Sequence, residues 1–316
     1  MADLLHIVYS TDEGYLKPTL VAAASALHWA SARERMVITV LDTGITEVCW
    51  KWFETKLRAR FGKEFGLLRL HLDVAQFRGF KIWHGSFGAY ARILIPNLLP
   101  DVKWCVYCDG DTLFTDDPFL LEPLMDDTKA YLGHEDWLSD HPPQETWFPA
   151  HGCKWDREQY VCSGFILMNL VWFRENDGIT KCMEFLAHNP DPPTVDQDAL
   201  AAVCQGHIGR LPDRWGQFSY SGFAFGRPGC IHYAGDRPWD LIGYAGIGYT
   251  DMMSLWYQYA RRLLGLKRAD LQKRVGRSYV LVCILTELNR WRCRIVKDPK
   301  SIHFAARRLR RELAIE

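Results

Sequence analysis

WCVYCDGDTLF, residues 104–114, runs apolar from Trp104 to Cys108, breaks into Asp109-Gly110-Asp111, and turns apolar again at Leu113. A strand buried on both faces reads as a continuous apolar run, so two carboxylates at its end require a reason. If the chain stays extended there, residues i and i+2 point the same way and both carboxylates meet at one place. Hard oxygen ligands at that spacing suit Mg2+ or Mn2+. The competing reading is a plain turn, because Asp-Gly is a strong turn dipeptide. A calcium-binding EF-hand loop is excluded, since Leu113 and Phe114 fall where oxygen ligands are needed.

Upstream of this stretch, strand and helix patterns alternate. Leu5–Tyr9 (LHIVY) and Met36–Leu41 (MVITVL) read as strands, as does Leu67–Leu72. Pro18–Trp29, with Leu20, Ala23, Ala24 and Leu27 on one face, reads as a helix; so do Glu47–Phe61 and Phe87–Leu98. Lys103–Cys108 is then a further strand. Such alternation predicts an α/β fold with a mainly parallel sheet flanked by helices. Ligands of such sheets collect beyond the carboxyl ends of the strands, where both Ser10-Thr11-Asp12 and Asp109-Gly110-Asp111 lie. Residues 136–160, rich in Trp, Pro, His and charge, have no periodicity and read as a substrate-facing insertion. Trp137, Trp147 and Trp155 within it either stack on sugar rings or close the insertion onto the core. Gly164–Leu170 reads as a strand, Asp196–Cys204 as a helix, and Trp215–Tyr249 as a Gly-rich aromatic stretch.

The 316 residues, 48% hydrophobic, suffice for a large core. Charge is uneven: residues 260–316 hold 16 Lys+Arg against 5 Asp+Glu, leaving 22 against 33 in residues 1–259. An acidic body is ill suited to nucleic acid, while the basic tail can meet anionic lipid. The expected division is a main domain over 1–259 and a basic, helical extension over 260–316. The opening MADLLHIVYS reads as a strand rather than a secretion signal, and no apolar stretch reaches the ~20 residues of a membrane span. Ten cysteines lack paired spacing, consistent with a reducing, cytosolic compartment. Cys105 and Cys108, three positions apart on a strand, point to opposite faces and read as core thiols.

Three further groups can carry chemistry. In IHYAGDRPW, Ile231–Trp239, His232 offers a metal-binding imidazole, Gly235 close backbone approach and Arg237 a cation for phosphate, or the His-Tyr pair simply packs. In VDQDAL, Asp196 either caps a helix or, with Gln197, faces a substrate. Ser10-Thr11-Asp12 holds a base and ribose or forms an ordinary strand-end turn. Arg92 in AYARIL is a phosphate contact or a surface charge.

Taken in order, IVYSTDEGY, YARILIPNLLP, VYCDGDTLF, SGFILMNL, DQDAL and HYAGDRPW resemble segments of family 8 of the retaining glycosyltransferases, the group of glycogenin and the lipopolysaccharide galactosyl- and glucosyltransferases. The resemblance covers roughly residues 5–240. It implies a GT-A fold, a divalent metal (Mn2+ or Mg2+), a UDP-galactose or UDP-glucose donor, and transfer with retention to a saccharide or glycolipid acceptor. It further implies Asp109, Asp111 and His232 as metal ligands, with Gly110 between the carboxylates. Asp12 and Tyr15 would contact uracil and ribose, Arg92 and Asp136 the donor sugar or its phosphates, and His84 the sugar. Asp196 and Gln197 would lie by the reacting carbon. Two departures stand out: Cys162 replaces the family's Asn before Ser163-Gly164, and the His232–Trp239 segment is one residue short with Arg237 in place of Lys.

The expected role is a metal-dependent hexosyltransferase of cell-envelope polysaccharide synthesis, cytoplasmic, with its tail at the inner face of the membrane. Competing readings are a sugar-nucleotide nucleotidyltransferase, which should carry a Gly- and Lys-rich triphosphate loop that STDEGYLKP lacks, and a nucleotide-sugar-binding protein without turnover.

Overall fold

A computed structural model describes residues 4–136, 142–219, 227–234, 237–239, 249–271 and 315. β1 (Leu5–Thr11) leads through Asp12 into α1 (Leu16–Trp29), then β2 (Met36–Asp42), α2 (Glu47–Phe61) and β3 (Gly66–His71) follow. The helix expected over Phe87–Leu98 is instead a 3-10 stretch, Gly88–Leu94, followed by one α-helical turn, α3 (Ile95–Leu98). Pro96 has no N–H to donate to the carbonyl of Arg92, so a continuous α-helix cannot form there.

Next come β4 (Trp104–Cys108), β5 (Thr112–Phe114) and β6 (Tyr131–Glu135). Where an irregular insertion was expected, α4 (Pro142–Ala150) forms, with Pro fitting its first turn because the fixed φ is already helical. Phe148 is buried, Trp147 stacks on His151 at 4.1 Å, and Trp155 lies 5.0 Å from the Tyr160 ring, so both tryptophans close onto the core. Trp137 lies outside the described residues. β7 (Val161–Asn169), α5 (Leu170–Glu175), α6 (Gly178–His188), α7 (Asp196–Val203) and β8 (Ile208–Arg210) follow, then β9 (Gln217–Phe218), β10 (Cys230–His232) and α8 (Tyr249–Leu264). Helix α8 runs unbroken through position 260, and Leu263, Leu264, Leu266 and Leu271 beyond it are buried. The rest of the basic tail, apart from Ile315, lies outside the described residues.

Seven strands form one sheet in the order β3-β2-β1-β4-β7-β6-β8, in which only β7 runs antiparallel to its neighbours. Alternation divides the strand residues between two cores. Ile7, Ile38, Val106, Cys108 and Leu167 pack under α1, α2 and α8, while Val8, Cys105, Tyr107, Ile166 and Met168 pack against the 3-10 stretch and α4 to α7. Cys105 and Cys108 are thus free core thiols on opposite faces. A second sheet, β5-β10-β9, stands beyond the carboxyl end of β4. The reversed strand β7 starts at that same end, bringing Cys162, Ser163 and Gly164 beside the carboxyl termini of β1 and β4.

Candidate metal and donor site

The chain leaves β4 by a tight turn: both the amide and the hydroxyl of Thr112 donate to the Asp109 carbonyl, at 3.2 and 2.9 Å. The Asp109 carboxylate and that of Asp111 therefore converge through a turn rather than through the alternation of an extended strand. Turn and ligand pair, alternatives in the sequence, coexist. Gly110 belongs at the bend because a Cβ there would sit 2.4 Å from Thr19 Oγ1 of α1. The turn redirects the chain into β5, and β5 pairs antiparallel with β10 so that His232 lies opposite Thr112. The Tyr233 amide then donates to the Asp111 carbonyl at 2.9 Å. A separation of more than a hundred residues is closed by one strand pairing.

Asp109, Asp111 and His232 each offer a ligand atom, and these atoms all lie within 4.8 Å of one another. Each side chain is anchored on its other atom. Asp109 Oδ1 accepts from Arg92 Nη2 at 3.0 Å and from the Tyr107 hydroxyl at 2.8 Å, leaving Oδ2 3.9 Å from His232 Nε2. Asp111 Oδ2 accepts from the Tyr15 hydroxyl at 3.1 Å, while its buried Oδ1 has no hydrogen-bond partner and lies 3.3 Å from His232 Nε2. His232 Nδ1 meets Cys162 Sγ at 3.7 Å, and Phe218 stacks along the ring at 5.5 Å.

Burial opposes charge on both Asp111 and His232, yet their attraction wins: the Asp111 pKa is lowered and that of His232 is raised well above the ordinary value. An unpartnered buried carboxylate oxygen is costly. A divalent cation would supply a further partner there, and two carboxylates with an imidazole could hold Mg2+ or Mn2+. Space is kept for it by Gly164, where a Cβ would lie 2.3 Å from His232 Cε1 and 2.7 Å from Asp109 Oδ2.

Behind the carboxylates lies Arg92, only 4% exposed rather than a surface charge. Its guanidinium covers the Tyr107 ring at 4.4 Å, donates to Asp109 and to the carbonyl and hydroxyl of Ser163, and directs Nε to the Ala89 carbonyl at 3.0 Å. Asp196 Oδ2 also lies 3.0 Å from Nε, but without an aligned hydrogen bond. Burial works against the charge of Arg92, and Asp109 and Asp196 outweigh it. Burial likewise pushes the Asp196 carboxyl up to about 6, against the pull of Arg92.

Gln197 bridges two elements: its Oε1 accepts the Ser163 amide at 2.9 Å and its Nε2 donates to Asp136 Oδ2 at 2.9 Å. Both side chains are presented by a strained turn, since Val195, a β-branched residue, has φ +46° just before α7. Such strain persists only where the surroundings enforce it. Here Asp198 accepts the Thr194 amide, the Thr194 hydroxyl and the Tyr160 hydroxyl, each at 2.7 Å.

On the β1 side, Ser10 Oγ donates to the Gly88 carbonyl at 2.9 Å, Thr11 meets Thr19 at 3.1 Å, and Asp12 Oδ1 accepts the Tyr15 amide at 2.9 Å where α1 begins. Tyr15 also lies under the Arg237 guanidinium, 5.4 Å from its ring, and meets Trp239 edge-on. His84, exposed at φ +48°, occupies the bend of a tight turn closed between Trp83 and Ser86. Burial lowers its pKa, as does Arg237, with Asp111 acting oppositely. Gly235 lies outside the described residues.

The sequence reading missed Tyr107, Ser163 and Gly164 as members of this site. Tyr107 and Ser163 look like ordinary strand residues, and Gly164 is required for space rather than for a special φ.

The fold is of the GT-A type, and the site gathers two carboxylates and an imidazole that could hold a cation. The chain belongs to Glycosyl transferase family 8, whose profile matches residues 6–243; enzymes of this family generally use a divalent metal. Among curated proteins, none matches significantly.

Solved structures share the fold. The galactosyltransferase LgtC, in complex with donor and acceptor sugar analogues, is 22% identical over 88% of this chain and 99% of its own, with a TM-score of 0.67. The bifunctional glycosyltransferase WbbM is 20% identical, covering 76% of this chain and 47% of its own, with a TM-score of 0.63, so this chain spans about half of it. GlyE of Streptococcus pneumoniae is 16% identical over 85% of this chain and 62% of its own, with a TM-score of 0.57. Among the described residues, no helix is long and apolar enough to cross a membrane.

Proposed function

We propose that the protein is a retaining hexosyltransferase that moves galactose or glucose from UDP-galactose or UDP-glucose to a saccharide or lipid-linked saccharide in lipopolysaccharide or other envelope polysaccharide synthesis. The observation that carries the reading is the set of Asp109, Asp111 and His232, each fixed on one atom by a protein partner while the other atom faces a shared point. Mn2+, or Mg2+, is the cation proposed there. When bound, it would neutralise charge on a departing diphosphate.

The chain's own residues supply the rest. Arg92 keeps Asp109 in place. Ser10, Thr11, Asp12 and Tyr15, at the end of β1 and the start of α1, would receive the uridine. Arg237, beside Tyr15, would meet the phosphates as a planar guanidinium. His84 and Asp136 flank the sugar position in this reading. Asp196 and Gln197 would face the anomeric carbon and stabilise its oxocarbenium-like charge. Cys162, where the family has an amide, removes a polar contact to the sugar.

The test is UDP release from each UDP-hexose with Mn2+, in the whole chain and in Asp111→Ala. Release by the whole chain, abolished by chelator and by the substitution, is expected. Full-rate release by metal-stripped protein would refute the reading. A preference for UTP with a sugar phosphate would instead identify a nucleotidyltransferase, and donor held intact would identify a binding protein.

A further inference from the structure

We propose that Cys162 is a positioning residue for His232, its sulfur holding the imidazole in the orientation and tautomer that present Nε2 to a cation. The proposal rests on the metal site described above. An imidazole that gives Nε2 to a metal carries its proton on Nδ1, and metal-bound histidines are held by an acceptor for that N–H. In this chain the partner of Nδ1 is Cys162 Sγ, at 3.7 Å, on a residue that is itself buried.

Two contacts divide the control of the ring. Phe218, stacked at 5.5 Å with the planes 29° apart, fixes the plane. It leaves open a half-turn about the Cβ–Cγ bond, because imidazole has nearly the same outline after such a turn and this torsion is broad and roughly two-fold. That half-turn would exchange Nε2 for Cε1 and set a carbon against the two carboxylates. The sulfur distinguishes the two states, since it accepts from N–H far better than from C–H.

The sulfur is not itself placed as a ligand. Among the described residues, Asp109, Asp111 and His232 form the one metal-capable group, and Cys162 contacts the ring nitrogen on the other side of Cε1 from Nε2. Asp111 Oδ1, buried, without a hydrogen bond and 3.3 Å from Nε2, marks the side on which a cation belongs.

The experiment compares Mn2+ binding, by electron paramagnetic resonance of the free ion, in the whole chain, Cys162→Ala and Cys162→Val. Valine fills the sulfur's space and suits a strand, but accepts no hydrogen bond. Both variants should bind Mn2+ about 10-fold more weakly, the lower end of the range for losing such a partner. Wild-type affinity in either variant would overturn the proposal, because only packing or nothing at all would then have been lost. Failure of the unsubstituted chain to bind Mn2+ would overturn the metal site itself, and this inference with it. Should the variants not fold, nitrogen NMR of His232 in the unsubstituted chain loaded with Mg2+ decides: protonation on Nδ1 is expected, and protonation on Nε2 refutes.

Discussion

Gly164→Ala isolates the site from the fold. The new methyl carbon would lie 2.3 Å from His232 Cε1, 2.7 Å from Asp109 Oδ2 and 2.9 Å from His232 Nε2. Ordinary contact begins near 3.4 Å, so the imidazole must retreat by about 1 Å. Retreat is opposed on one flank by Phe218. Metal–ligand distances tolerate only ~0.2 Å, so a displacement of this size removes His232 from the ligand set. Loss of a direct ligand should exceed the 10–100-fold effect of losing a supporting partner, which sets an expected fall in Mn2+ affinity of at least ~100-fold, or ~2.7 kcal/mol. Overpacking itself costs ~1–3 kcal/mol of stability, and a control must carry that cost without touching the site. Gly209→Ala serves, since its Cβ would press on Leu132 Cγ at 2.9 Å at the edge of the sheet. Mn2+ titration and thermal melting of both variants form the assay. Gly164→Ala binding Mn2+ as the unsubstituted chain does, or Gly209→Ala losing it equally, would refute the reasoning.

Two further outcomes follow from charge. Asp196 has its pKa pushed up to about 6 by burial. A raised carboxyl contributes stability below its unfolded pKa of ~4 and loses that contribution as pH rises through the folded value. Asp196→Asn should therefore gain melting temperature relative to the parent between pH 4.5 and 7.5, a change of order 2 kcal/mol; an equal difference at both pH values would refute it. For the tail, the segment after Leu271 carries 12 Lys+Arg against 4 Asp+Glu. A chain ending at Leu271 should bind anionic vesicles more weakly than the full chain, and equal binding of the two by flotation would dispose of the membrane contact. Ending the chain near residue 260 would instead cut α8 and remove the buried Leu263 and Leu264.

The sheet was legible because its signal is local. β1, β2 and β4 are apolar runs separated by helices, and continuous burial on both faces produces such runs. Several of the elements that escaped have a cause that is not local. β8 and β10 are three residues each and exist through pairing with β6 and β5. Helix α4 grows in a stretch of prolines and aromatics without clean periodicity, held by the burial of Phe148. Pro96 and the amphipathic pattern of α6 were visible in the sequence, and both were local signals left unused.

For the site, the residue types were legible and their connections were not. The pattern of carboxylates, histidine and arginine pointed to Asp109, Asp111, His232 and Arg92, but assigned Arg92 to the donor. In the structure that guanidinium is already engaged by Asp109, Ser163 and the Ala89 carbonyl, with Asp196 beside it. The buried Arg92 guanidinium lies against both the Asp109 and the Asp196 carboxylates, so removing it would leave the buried Asp196 without its cation. Nothing in AYARIL distinguishes that role from a direct phosphate contact, because the decisive fact is the reversal of β7, which carries Ser163 and Gly164 to the end of β4. Tyr15 shows the same limit: its sequence position suggests a ring for a base, yet its hydroxyl is committed to Asp111. In the proposed function, where Tyr15 receives the uridine, this one hydrogen bond would join the nucleotide side of the site to the metal side.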